Sequence, residues 1–155
     1  MFTNNIFLHN ECGYYGNYPL ITGSNNTFQN NVSLRQCDNF VSGTGNKFIK
    51  NIFVINATTF GTTPTLTDNY MNVDRATVFV NQTGNTANVN HNYHLVNPAS
   101  YLGTDGTEVG LFGSTTPFKE QMIPENPHIS VKNIQTSTNS AGELQIELKA
   151  EAQSR

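Results

Sequence analysis

Few side chains in this chain have the type and spacing that chemistry demands. Asp68, Asp74 and Arg75 fall within eight residues of one another. Two carboxylates facing each other across a groove could act as the acid and the base or nucleophile of glycoside hydrolysis. A basic residue beside carboxylates could instead abstract a proton next to a uronate carboxylate. Asp38 with Arg35 is the other place where acid and base come close. Each group also has a plain structural use. Asp38 precedes an aromatic as a turn residue, and Asp68-Asn69 reads as a turn before a strand. The turn roles are the expectation, so no catalytic residue is assigned and Asp68, Asp74 and Arg75 stand only as candidates.

Metal chemistry has equally little to work with. Calcium takes about six to eight oxygen ligands, more than Asp105 and Glu108 supply, so Asp105-Gly106 is expected to be a tight turn. His91 and His94 are three residues apart on an expected strand, which points them to opposite sides. No metal and no cofactor is expected, with calcium the one ion considered. The two cysteines, Cys12 and Cys37, follow Asn5 by seven residues and Asn31 by six, which brings them close on adjacent turns of chain. Neighbouring strands lie about 4.8 Å apart, near the low end of the Cα separation a disulfide accepts. A bridge and a pair of stacked buried thiols both fit this placement.

The elements that must position these groups are written in a repeat. Asn5, Asn31, Asn51, Asn72 and Asn92 recur at spacings of twenty-six, twenty, twenty-one and twenty. Phe2, Phe28 and Phe48 fall three residues before the first three asparagines, and Ile6 and Leu8, Val32 and Leu34, and Ile52 and Val54 fall one and three after. A fixed period of this size marks units that bury their apolar faces only by stacking. Apolar residues at alternate positions predict strands with one buried face, and no window before residue 117 keeps a helical period. Asn enters the left-handed region readily, so each repeat asparagine is expected at a bend, with its amide bonding to the next along a ladder. Tyr14, Phe40 and Phe60 follow the first three asparagines by nine residues and are expected to form an aromatic stack. The chain should therefore be all-β, a stacked solenoid of about five turns over residues 1–116, its fourth and fifth repeats decayed. Arg75 falls where earlier repeats place a buried aliphatic, so either the register shifts there or Arg75 lines an edge.

From residue 117 the pattern changes. Pro117, Pro124 and Pro127 cannot continue a ladder because proline lacks the amide donor. Beyond this linker, Ile129 and Val131, then Leu144, Ile146, Leu148 and Ala150, alternate with polar residues around Asn139-Ser140-Ala141-Gly142, which predicts a one-faced β-hairpin; residues 117–155 are thus expected to be a proline-containing linker and hairpin tail, a cap or interaction element. Only 12% of residues are charged and the net charge is −3, so no basic surface for nucleic acid is expected. No apolar run reaches membrane-spanning length. Thr58, Thr59, Thr62, Thr63, Thr65 and Thr67 lie in one stretch instead of stacking at the repeat period, so no regular threonine face is expected. Sequons begin at Asn25, Asn31, Asn56 and Asn81.

The Phe-x-x-Asn repeat with its Ile-x-Leu-like strands, together with Asn92-Tyr93-His94-Leu95 through Pro98 and the segment Gly103-Thr104-Asp105-Gly106-Thr107-Glu108-Val109-Gly110-Leu111-Phe112-Gly113, resembles the last coils of secreted bacterial right-handed parallel β-helix proteins, pectin-lyase-like in fold. The resemblance spans residues 1–117, and the tail with Pro124-Glu125-Asn126-Pro127-His128-Ile129 is similar to segments found C-terminal to such helices. It implies right-handed coiling, a secreted or cell-surface setting with the leader lost upstream, and polysaccharide or cell-surface glycan as partner. Members include lyases, glycosidases and epimerases as well as adhesins and structural proteins, and fold does not choose among them. The expected role is a non-catalytic terminal region that binds glycan, adheres or supports structure. The rivals are a polysaccharide lyase or glycoside hydrolase whose groove lies outside this chain, and a protein that self-assembles through its first coil or its hairpin.

Overall fold

The computed structural model describes residues 1–9, 18–55, 59–118 and 127–152. They form two compact units, Met1–Pro117 and Phe118–Arg155. The described residues are all-β apart from two short 3-10 turns, Arg75–Thr77 and Pro98–Ser100, and no helix among them is long and apolar enough to cross a membrane.

The first unit opens with short strands: β1 (Phe2–Thr3), β2 (Ile6–Phe7), β3 (Ile21–Thr22), β4 (Thr27–Gln29), β5 (Val32–Ser33), β6 (Val41–Ser42), β7 (Lys47–Ile49), β8 (Ile52–Phe53) and β9 (Thr65–Thr67). They sort into three parallel sheets, ordered β1-β4-β7-β9, β2-β5-β8 and β3-β6. Register is direct: Phe2 pairs with Phe28, Phe28 with Phe48 and Phe48 with Leu66, while Ile6, Val32 and Ile52 pair in turn. The rings of Phe2, Phe28 and Phe48 stack nearly parallel at 4.7 and 4.8 Å.

Between the first two sheets runs an amide ladder. Asn31 Oδ1 accepts from the backbone N–H and Nδ2 of Asn5 at 2.9 and 3.1 Å, and Asn51 Oδ1 accepts from Asn31 at 3.0 and 2.9 Å. Each Nδ2 also donates to a backbone oxygen, Asn31 to Phe2 and Asn51 to Phe28. The next rung is Asn69, whose Oδ1 accepts both Asn51 donors at 2.9 Å. This corrects the expected fourth and fifth rungs. Asn72 is exposed and takes no ladder position, because the Phe48–Leu66 and Ile52–Tyr70 pairings set the register three residues earlier. Asn92 opens an antiparallel strand, and its amide oxygen caps the N–H of His94. The left-handed backbone is also displaced by one: Asn4, Asn30, Lys50 and Asp68, each preceding a rung, have φ of 56°, 55°, 53° and 49°. A second ladder starts with the Asn26 N–H on Asn46 Oδ1 at 2.9 Å.

Among the described residues the buried apolar side chains form two clusters. The first holds Phe28, Phe40, Val41, Phe48, Phe53 and Phe60. The apolar residues one and three after each asparagine lie in the second, where Val32, Leu34 and Ile52 are covered by Val78, Phe79, Leu95 and Val109. Both faces of β5 and β8 are thus buried, because the segment after β9 folds back over the sheet. That segment carries β10 (Phe79–Asn81) and β11 (Asn92–Leu95), paired antiparallel, and a loop whose Gly110 N–H donates to Asn30 O. The expected aromatic stack is likewise corrected. Tyr14 lies outside the described residues, and Leu20, not an aromatic, is in register with Phe40. Phe60 packs edge-on against Phe53, which in turn meets Phe40 at 5.3 Å. Asn39 pairs with Thr59 at the full twenty-residue step and the repeat shortens to eighteen only at Thr44 and Thr62, so it is Phe53, edge-on to both rings, that takes the place of a direct Phe40–Phe60 stack.

The second unit is the antiparallel pair β12 (His128–Ile134) and β13 (Ile146–Glu151). A register shift between Ile129 and Val131 places Val131 opposite Lys149, off the face that carries Ile134, Ile146 and Leu148. The expected same-face pairing of Val131 with those residues is therefore corrected: a bulge inserts one residue and reverses side.

Candidate binding face

The chemistry-bearing residues are spent on structure. Asp68 sits at a left-handed corner and pairs with Lys50 at 3.7 Å. Asp74 caps the first 3-10 turn, its Oδ1 accepting from the Ala76 N–H at 3.0 Å. The Arg75 guanidinium donates to the carbonyl oxygens of Leu34 and Gly84 and to Asn85 Oδ1, so the register shift around Asn69 leaves it at a loop junction. Arg35 is buried and donates to Tyr18 O, and burial lowers its pKa. Asp38, by contrast, is exposed.

The other candidates are just as occupied. Asp105 accepts from Thr107 Oγ1 at 2.7 Å and from the Thr107 N–H at 3.1 Å, and that hydroxyl bond first of all holds its carboxyl below the usual range. His94 Nδ1 lies 3.5 Å from Glu108 Oε1 and its ring stacks on Phe112, whereas His91 faces Thr83 and Tyr93. Among the described residues no three metal-ligating side chains converge. Cys37 is buried and disulfide-bonded, and Cys12 lies outside the described residues, as do Asn56 and Thr58.

What remains is a surface, not a cleft. Each strand of β1-β4-β7-β9 turns its phenylalanine or leucine one way, so its neighbours must point the other. Thr3, Gln29, Ile49 and Thr67 form one column, and Thr27, Lys47 and Thr65 another. Along each column the spacing is that of parallel strands, roughly 4.8 Å. Gln29 is aimed by its bond to Thr104 Oγ1 at 2.8 Å. Around the corner on β3 and β6, Ser42 Oγ donates to Thr22 Oγ1 at 3.2 Å, and Ser24 Oγ accepts from the Thr44 N–H at 2.9 Å.

Threonines do not stack on one another in these columns: Thr65 and Thr67 fall opposite Lys47 and Ile49 of β7, and these opposite Thr27 and Gln29 of β4. The spacing of the asparagines did not reveal this face, Asn69, or the inward Phe7 and Phe53. The signal for Asn69 was present, since Leu66 precedes it by the same three residues as each phenylalanine precedes its asparagine. No family model matches the chain, and no similar curated protein or solved structure is found.

Proposed function

We propose that residues 1–117 are coils of a right-handed parallel β-helix and that the outer surface of β1-β4-β7-β9 binds glycan without catalysis, in a secreted or cell-surface protein. Parallel partners separated by twenty-six, twenty and eighteen positions along one sheet, with two further parallel sheets in step, support the coiling. Parallel crossovers are right-handed as a rule. The observation that carries the binding role is the pair of outward columns: hydroxyl, amide and ammonium groups at regular spacing, backed by the rigid stack of Phe2, Phe28 and Phe48. Sugar hydroxyls both donate and accept hydrogen bonds, which Thr and Gln side chains match. Ile49 offers an apolar patch for a ring face, and Lys47 suits an acidic sugar. The disulfide at Cys37 suits an oxidising compartment.

The test is a glycan array spanning pectins, alginate, mucin glycans and bacterial surface polysaccharides, run with calcium and with chelator. Specific binding that weakens about tenfold in Lys47→Ala and Thr65→Ala, the loss of roughly one good polar contact, is the expected result. Silence on every polymer, or binding indifferent to both variants, overturns the proposal.

A further inference from the structure

The hairpin of the second unit leaves large apolar side chains in solvent: Ile129, Ile146 and Leu148 are 60%, 57% and 58% exposed. Paired residues of an antiparallel ribbon share a face, so Ile134 with Ile146, Leu148 with Lys132, and Ile129 with Ala150 form one side. Asn133 with Glu147, Val131 with Lys149, and His128 with Glu151 form the other. A two-stranded ribbon is marginal in water, and three or more strands with an apolar face are needed for independent stability. Strand β13 is paired only on its β12 side among the described residues, leaving a row of donors and acceptors along its other edge.

The order of side chains on β13 says what fits that edge. Leu148 is flanked by Glu147 and Lys149, and these by Ile146 and Ala150. An antiparallel two-fold axis through Leu148 sets Leu148 against itself, Ile146 against Ala150 of the other copy, and Glu147 against Lys149 of the other copy, twice over. Opposite charges face across the polar side and apolar residues across the apolar side, with no like-charge pair in the centre. A two-fold at Ile146 would need Glu143 for its charge pair, but Glu143 is held in the turn, its carboxylate accepting from Asn139 Nδ2 and its backbone N–H donating to Asn139 Oδ1. Such an isologous contact closes on itself instead of propagating.

We infer that this chain dimerises by pairing β13 with β13 of a second copy about Leu148, making a four-stranded antiparallel sheet. In light scattering at micromolar concentration the full chain should run at twice the mass of a single copy. Lys149→Glu alone and Glu147→Lys alone each set like charges across the axis and raise the dimer Kd about tenfold, whereas the two together restore the cross-axis pair and recover most of the affinity, the Lys149–Glu151 pair within the strand being lost in both Lys149 variants. With Cys37 already bonded, Leu148→Cys should oxidise to a covalent dimer and Ile146→Cys should not. A chain monomeric at every concentration, a dimer untouched by the single charge variants, or crosslinking at Ile146→Cys in place of Leu148→Cys each overturns the inference. Leu148 is exposed in the single chain, so failure to fold does not compete as an explanation.

Discussion

Asn51 shows how one buried amide can be worth more than its own bonds. Its oxygen accepts two donors from Asn31, and its Nδ2 serves both Asn69 and Phe28 O. Replacing it by alanine strands both Asn31 donors in a dry site, where each unsatisfied group costs about 1–3 kcal/mol. Asn51→Ala should therefore lower unfolding stability by about 3 kcal/mol in urea titration. Asn72, the residue that the spacing alone would choose, is exposed with φ of 55°; Asn72→Gly, which keeps that backbone, should stay within about 0.5 kcal/mol. Equal losses from the two would contradict the Asn69 register. The charged groups tell a parallel story at this scale. Asp68, Asp74, Arg75 and Asp105 all stand where a polar chain must close corners and turns, and each has a partner within hydrogen-bond or ion-pair distance.

At the scale of elements, strands of two or three residues persist because each is stacked on a neighbour and ended by a forced corner. Gly43 marks how close that stacking is. Its φ is +119°, and a methyl group there would overlap the Gly23 carbonyl oxygen of the adjacent strand connection. Gly61 stands over Gly43 in the same way. Gly106 also has positive φ, +80°, but open space around its Cβ position. Gly106→Ala should cost only the left-handed penalty, about 1 kcal/mol, while Gly43→Ala adds a backbone clash and should cost more than about 3 kcal/mol or prevent folding. Thermal melts of the two variants separate close approach from backbone conformation. The segment after β9 obeys the same logic from outside: Asn30 bonds Thr104 N–H at 3.0 Å and Gly110 N–H at 2.9 Å, and so fixes the loop that covers Val32.

At the scale of the whole molecule, both apolar clusters belong to the first unit. A chain cut after Pro117 should keep a cooperative transition with a midpoint within a few degrees of the full chain; a drop of more than about 10 °C, the effect of roughly 2 kcal/mol in a domain of this size, would show that the hairpin supports the first unit. The Asn repeat, the aromatic three residues before its first three asparagines and the break at Pro117 were legible in the chain itself, because period, alternation and proline are local properties that need no partner to be read. They carried the all-β class, the strand positions and the hairpin. The rest depended on non-local facts. The shortened step that makes Asn69 a rung is set by which side chains meet in the stack. The second apolar cluster exists because a later segment folds over the sheet, a contact between residues dozens of positions apart. The outward columns of the candidate face align only once that register is in place. Local pattern therefore determined what the strands are, and tertiary packing alone decided which of their faces are buried and which polar groups are left together on a surface.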